Sequence, residues 1–443
     1  MKLAHEAGNL PNPPRLASIR KSTWGPALAI FVVAFLVRLA LLSRVSHEDL
    51  LYGTLTSQGL QSGEEGIRVA LSLLKEGRFS DPFLLPTGPT AHLPPSFPAT
   101  TALIFWFFGT GITGALVRNL VNISGYALTF ALLPATTSAL GIGRRAGLFA
   151  GFVAAIYPIF RSTEVFRGRD EWLAALLLLG VTVGVYRLAK LPEMRLAAIY
   201  GLAWGVLMYV QPSALTVFPL HLIIFFRHAR RYSPLLRLQC CAAAALILIA
   251  VVIPWTIRNR LALGGWIFMR DNLGLELYVS NGEGASASLQ ENYQSGWYCS
   301  VHPMCSPSTA VRVRELGELR FNQDALREAA DWIGNNGMPF CRLSLERVLF
   351  FWADMPSNRI TFLIRAALSF IAFVGLALMW REGFGLQAAI LSAILFAYPL
   401  PYYVVQYSNR YVATISFAFL IPAAFTCVWL ASRVTKKRPL VSI

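Results

Sequence analysis

The chain has 443 residues, 55% apolar and 14% charged, with a mean hydropathy of +0.53. A soluble domain carries roughly 25% charged residues, so this deficit, with apolar runs of about 16 to 25 residues, excludes an ordinary soluble enzyme and indicates a polytopic helical membrane protein. The net charge of +16 lies largely in short basic clusters beside apolar runs, a pattern of membrane topology rather than of nucleic-acid binding.

In chain order, Lys2, Arg15, Arg20 and Lys21 precede an apolar run from Trp24 to Leu42. It is too long for a signal-peptide core and no small-residue cleavage site follows, so it reads as a retained first span. Further spans are expected at about 113–140, 146–163, 171–188, 196–211, 213–227, 236–256, 359–380, 386–402 and 411–432. With about ten spans and an inside N-terminus, the clusters Arg20/Lys21, Arg144/Arg145, Lys190/Arg195, Arg227/Arg230/Arg231, Arg381 and Lys436/Lys437/Arg438 all fall on the cytoplasmic side. Residues 94–108 are short for a span, and counting them would invert every later cluster. They read as an interfacial or re-entrant helix on the outer side, started by Pro94 and Pro95, where a missing N–H costs little. The chain thus divides into an N-terminal transmembrane module (1–257) with a first outer loop at 44–111, a polar extracytoplasmic loop domain (258–358), and C-terminal transmembrane helices (359–443). The polar domain should hold a helical pair at about 308–321 and 324–335. No internal repeat is evident, which weakens a transporter reading.

The outer loops carry the polar chemistry. Glu64 and Glu65 head an amphipathic helix in which Ile67, Ala70 or Leu71, and Leu74 share one face, opposite Arg68, Ser72 and Lys75. First-turn acids suit the helix dipole, and that alone could account for them. A second cluster, Arg167-Gly-Arg-Asp-Glu171, opens the fourth span on the same side, with Arg161 and Glu164 close by. It reads either as an ion-pair network anchoring the span or as chemistry: a base for an acceptor hydroxyl, with cations for an anionic leaving group. His92, Arg258, Arg260 and Arg410 sit near loop or span ends on this side, as phosphate ligands or as interfacial residues. Tyr402, Tyr403 and Tyr407 read as an interface belt. Cys240, Cys241 and Cys427 read as small hydrophobes. Cys299 and Cys305 share one polar loop in an oxidising compartment, and a disulfide is expected.

The segment "GEEGIRVALSLLKEGRFSDPF…PTGPTAHLPPSFP" resembles the first outer loop of bacterial glycosyltransferases of the C-type membrane fold, in the protein O-mannosyltransferase and aminoarabinose-transferase superfamily. The resemblance returns at "VVIPWTIRNRLALGGWIFMRDNLGLELYVSNGEG" (251–284), at "HP" (302–303), at "LGE" (316–318), through 325–352, and at "YSNRYVATISFAFLIP" (407–422). It implies an all-α polytopic membrane protein of the GT-C glycosyltransferase fold, with interfacial helices in the first outer loop and a polar outer loop of about 100 residues. It implies an enzyme of the cytoplasmic membrane, both termini cytoplasmic. Such an enzyme takes a hexosyl or pentosyl group from a polyprenyl-phosphate sugar donor to an extracytoplasmic acceptor: protein, lipid A, or another envelope glycan or lipid. Inversion at the sugar carbon is the family expectation.

Carried over by position, the first-loop acid falls on Glu65, with Glu64 the competitor, and the acid opening the fourth span on Asp170, with Glu171 next. The chain departs from the family with Glu for Asp in the first loop, with His92 where Trp or Tyr precedes the paired prolines, and with Asn409-Arg410-Tyr411-Val412 for the final "RYR". The resemblance therefore implies Glu65 or Glu64 as catalytic base. Asp170 would orient the acceptor or, with Glu65, help hold a divalent metal ion (Mg or Mn). His92, Arg258 and Arg410 would bind donor phosphate, and Asn272, Glu276, Glu171 and Arg169 would line the substrate site. The rival readings are a transporter or flippase of lipid-linked saccharide and a non-catalytic envelope assembly protein.

Overall fold

A computed structural model describes residues 24–50, 55–56, 59–60 and 64–436. The expected basic clusters at Lys2 to Lys21 and at Lys437/Arg438 lie outside the described residues. Among the described residues, seven helices are long and apolar enough to cross a membrane: Gly25–Leu42, Ile112–Ala139, Glu171–Lys190, Pro234–Leu263, Arg359–Arg381, Gly385–Tyr403 and Ser416–Val434. Met194–Val210 is a shorter apolar helix. Several expected spans are interrupted: that at 411–432 divides between helices Asn409–Thr414 and Ser416–Lys436, and that at 386–402 is a helix to Ala397 and then a 3-10 turn, Leu400–Tyr403. Helix Arg144–Ile156 stops before Pro158, and a short helix, Arg161–Val165, follows. The 213–227 run is a 3-10 turn, Pro212–Val217, leading into helix Phe218–His228. Proline removes a backbone donor and clashes with the preceding turn, which accounts for the stop before Pro158.

The apolar helices pack through small residues. A Cβ on Gly201 would lie 2.3 Å from the Ala244 carbonyl oxygen, and one on Gly375 would lie 2.0 Å from that of Pro422. These glycines let Met194–Val210 approach Pro234–Leu263, and Arg359–Arg381 approach Ser416–Lys436, backbone to backbone.

On the loop-rich side, helix Glu65–Glu76 ends at Gly77, whose φ of +66° allows its N–H to return to the Leu73 carbonyl at 3.1 Å. Its buried face holds Ile67, Val69, Ala70 and Leu71; Leu74 of the expected stripe is half-buried, and Ser72, expected on the opposite face, is buried. Ile67 and Leu71 pack on Phe97 and Phe105 of helix Ser96–Phe108. Gly66 is required at this crossing, because a Cβ there would lie 2.4 Å from the Phe97 ring. Ser96–Phe108 turns Leu103, Trp106 and Phe107 outward, as an interfacial helix would.

The polar loop folds into six helices, Leu273–Ser280, Leu289–Gln294, Trp297–Val301, Pro307–Leu316, Glu318–Asn335 and Gly337–Ala353. The first five close around Phe83 of the first loop together with Leu275, Val279, Tyr298, Val301 and Phe321, while Phe350 and Phe351 of the sixth join the main apolar core. The expected helical pair divides earlier than its periodicity indicated, at Gly317 with φ +78°. Cys299 and Cys305 form a disulfide. The tyrosine belt is a correction: Tyr402 and Tyr407 are buried, not interfacial. Gln211 and Ser213 bind the Tyr402 hydroxyl, and Arg365 and Asn409 bind that of Tyr407.

Candidate active site

A cavity of about 330 Å³ opens where the first loop, the start of helix Glu171–Lys190, the polar loop and the start of the last helices meet. Arg169, Asp170, Glu171, Asn272, Glu276 and Arg410, all singled out in the sequence, line it together. Phe97, Gln211, Ser213, Arg270, Tyr402 and Tyr411 complete much of its wall. Tyr402 and Tyr411 stack at 3.9 Å between ring centroids.

Asp170 is the residue just before helix Glu171–Lys190. It is buried, and its Oδ2 has no hydrogen-bond partner. Burial, then the neighbouring Glu171 charge, pushes its carboxyl up to about 7. Glu171 accepts the Arg169 peptide N–H at 2.7 Å. Asn272 Nδ2 donates to Glu276 Oε1 at 3.1 Å. Arg410 keeps an Nε with no hydrogen-bond partner and lies 5.2 Å from the Tyr411 ring centre. Its neighbour Asn409 accepts from Arg365 at 2.7 Å, and Arg365 lies 3.5 Å from Asp354 in a buried ion pair.

Glu64, Glu65 and His92 do not line the cavity; the two glutamates reach it through Arg169. The Arg169 guanidinium donates to Glu64 Oε1 through Nε, and its Nη2 stands 3.4 Å from Glu65 Oε2. The other Glu65 oxygen faces His92 Nε2 at 3.6 Å and His302 Nε2 at 3.5 Å. Burial works against the Glu65 charge, but His92, His302 and Arg169 outweigh it and hold the carboxyl well below the ordinary range. Burial pushes His302 down to about 3 although Glu65 pulls it upward, so this ring is neutral. The ligand atoms of Glu65, His92 and His302 lie within 4.8 Å of one another. Asp170, the other expected metal ligand, is not part of that group.

Arg258 is built into the first loop. Its guanidinium donates to the carbonyls of Thr90 at 2.6 Å and Phe79 at 2.7 Å, and packs against the rings of Phe79 and Trp255. The strip around His92 is clamped from the polar domain. Glu318 accepts the Ala91 N–H at 2.6 Å and the Thr90 hydroxyl. The Asp271 N–H donates to the Ala91 carbonyl at 2.9 Å, and Arg270 Nε to that of His92 at 2.9 Å. His302, Arg270 and Glu318 were given no specific role from the sequence. Their only signal there was membership in the recurring "HP", "RDN" and "LGE" segments.

Membrane-crossing helices that end at a loop-built polar cavity are the arrangement of the C-type membrane glycosyltransferases, and the fold is theirs. The structure is similar to the archaeal oligosaccharyltransferase AglB of Archaeoglobus fulgidus in complex with an inhibitory peptide and a dolichol-phosphate. The identity is 13% and the TM-score 0.55, over 94% of this chain and 52% of that one. It is also similar to the A. fulgidus oligosaccharyltransferase in its apo form, at 15% identity and a TM-score of 0.57, over 96% and 54% of the two chains. A third similar structure is that enzyme's complex with Zn and sulfate, at 12% identity and a TM-score of 0.51, over 92% and 50%. The chain thus spans about half the length of these proteins. No family model and no curated protein matches the sequence.

Proposed function

We propose that the protein transfers a glycosyl group from a polyprenyl-phosphate sugar to an acceptor outside the cytoplasmic membrane. The observation that carries this reading is the cavity itself. It sets a buried, partnerless Asp170 oxygen beside Arg169, Arg270 and Arg410, next to the ends of membrane helices. A soluble donor would not need a site there, whereas a lipid-phosphate donor keeps its chain in the bilayer and its phosphate at the interface. A similar fold holds dolichol-phosphate in AglB.

The chemistry follows from the residues. The acceptor hydroxyl gives its proton to Asp170. The acceptor oxygen bonds to the anomeric carbon as the bond from that carbon to the phosphate oxygen breaks. The polyprenyl phosphate departs as an anion that Arg410 and Arg270 stabilise, and the sugar carbon inverts. Asp170 suits the role of base because it lines the cavity, keeps an oxygen without a hydrogen-bond partner and titrates near neutrality. Glu64 and Glu65 hold Arg169 in place. Asn272, Glu276 and Glu171 are polar wall for the sugar or acceptor. The transferred sugar is a hexose or pentose, and the acceptor a protein, lipid A or another envelope glycan or lipid.

The test is transfer from radiolabelled polyprenyl-phosphate sugars to native membrane acceptors, with wild type, D170N, E65Q and E64Q at matched expression. Loss of a general base costs about 10²- to 10⁴-fold, so D170N should lose that much turnover while still binding donor. A flippase or assembly protein would show no transfer in wild type, or equal behaviour in all four.

A further inference from the structure

We propose that the resident cation of this site is Arg169 and that His302 is fixed with its proton on Nε2, facing Glu65, so that Glu65, His92 and His302 do not form a divalent-metal site. The fold's zinc-bound relative and the clustering of these three side chains invite the opposite conclusion. The hydrogen bonding of the imidazole argues against it.

The peptide N–H of Met304 donates to His302 Nδ1 at 3.1 Å. A peptide nitrogen can only donate, so Nδ1 carries the lone pair, and a neutral ring must carry its proton on Nε2. That nitrogen faces Glu65 at 3.5 Å. A metal would need the lone pair at Nε2, with the proton on Nδ1 given to a carbonyl or carboxylate, as ligating histidines do. Here a proton on Nδ1 would point at the Met304 N–H. Turning the ring over would leave that N–H against a carbon and orphan a buried donor.

The ring is also held in place. His302 is 3% exposed and stacks on Tyr298 at 4.4 Å with 10° between planes. It sits midway in the loop that Cys299 and Cys305 close, and its carbonyl accepts the N–H groups of Cys305 and Ser306. Without His302, Glu65 and His92 supply two protein ligands, fewer than the three or four of an established zinc site. The positive charge is supplied already. Arg169 pairs with Glu64 and Glu65 and gives its peptide N–H to Glu171. A divalent ion would have to displace this nearly buried guanidinium from both carboxylates.

The test uses the full chain, purified with its disulfide oxidised. Nitrogen spectra of histidine-labelled protein, with the His302 signals assigned by their loss in H302Q, should show the Nε2–H tautomer unchanged over about pH 5 to 8. Dialysis against Zn or Mn should leave no stoichiometric ion whose retention depends on His302. An Nδ1–H tautomer, or one equivalent of metal held by wild type and lost in H302Q, would overturn the proposal. The wild-type metal content survives a folding failure of the variant. That transfer itself runs without a divalent ion rests on the function proposed above. There, H302A should lower turnover, H302Q, whose amide can replace the Nε2–H, should restore part of it, and chelation should leave wild type active. If no donor supports transfer in wild type, that function fails, while tautomer and metal content still decide this inference.

Discussion

The guanidinium of Arg38, in the first span, pairs with the Glu164 carboxylate, and the two side chains are 0% and 3% exposed. Arg38 also donates to the carbonyls of Ala34, Ala154 and Ala155, and the other Glu164 oxygen accepts the Phe160 N–H at 3.1 Å. The pair fastens the first span to the loop that continues into Arg169 and Asp170. Removing one partner of a buried pair leaves an uncompensated charge, at a cost of about 3–5 kcal/mol. R38A and E164A should therefore each lower the melting temperature in detergent and reduce transfer. R38M/E164L, which removes both charges, should recover much of the stability. Melts in which the double variant is as unstable as the singles would contradict this.

Asp170 predicts a pH dependence with opposite signs for activity and stability. Its folded-state carboxyl sits at about 7, above the ordinary 3.8. As a base it must be ionised, so transfer should rise with pH through about 7, and one unit below this only roughly a tenth of the carboxyl is ionised. For stability, the folded state binds the extra proton between the two values. The contribution is full below about 4 and is lost as pH rises through about 7. D170N should remove that part of the stability slope. A wild-type rate that is flat from pH 6 to 8 would remove Asp170 as the base.

Arg258 and Arg410, assigned the same phosphate role from the sequence, should separate experimentally. Arg258 spends its donors on the Thr90 and Phe79 carbonyls, whereas Arg410 lines the cavity and keeps an Nε without a hydrogen-bond partner. R258A should lower stability by about 1–3 kcal/mol through the buried carbonyls it deserts, with donor KM changed only as far as the first loop shifts. R410A should melt close to wild type and raise donor KM or lower kcat by more than tenfold. Melting curves and saturation kinetics on the same preparations distinguish them.

This contrast shows what the sequence could carry. A charged residue at the end of an apolar run is visible because the membrane gives it few places to go; that is why Asp170 and Glu171 in one cluster, and Arg410 separately at the start of the last span, stand out in the sequence. What a side chain touches is not visible when its partner lies far along the chain. The Tyr402 hydroxyl is bound by Gln211, 191 residues away, and the Ala91 amide by Glu318, 227 away. Hydropathy therefore puts Tyr402 in a belt, the resemblance puts Arg258 among the phosphate ligands, and neither gives Glu318 a role. The interruption at Pro158 has a local cause that could have been weighed, since that proline stands inside the apolar run.

The disulfide ties stability to the geometry around Glu65. Closing a loop of about seven residues stabilises by roughly 2 kcal/mol in the chain-entropy account. C299S/C305S, and wild type in reductant, should melt lower by that order. The larger consequence is positional, because His302 lies at the middle of the closed segment and meets Glu65 only while that turn is kept. Loosening it should free Glu65 to move with Arg169, and transfer should fall further than the loss of folded protein accounts for. Activity per folded molecule is the deciding quantity, measured with and without reductant in wild type and in the serine pair. A drop in wild type that is absent on adding reductant to the already slow serine pair assigns the effect to this bridge. Equal specific activity in all four conditions would mean that the surrounding packing alone, with Tyr298 stacked on the ring, is enough to hold His302 against Glu65.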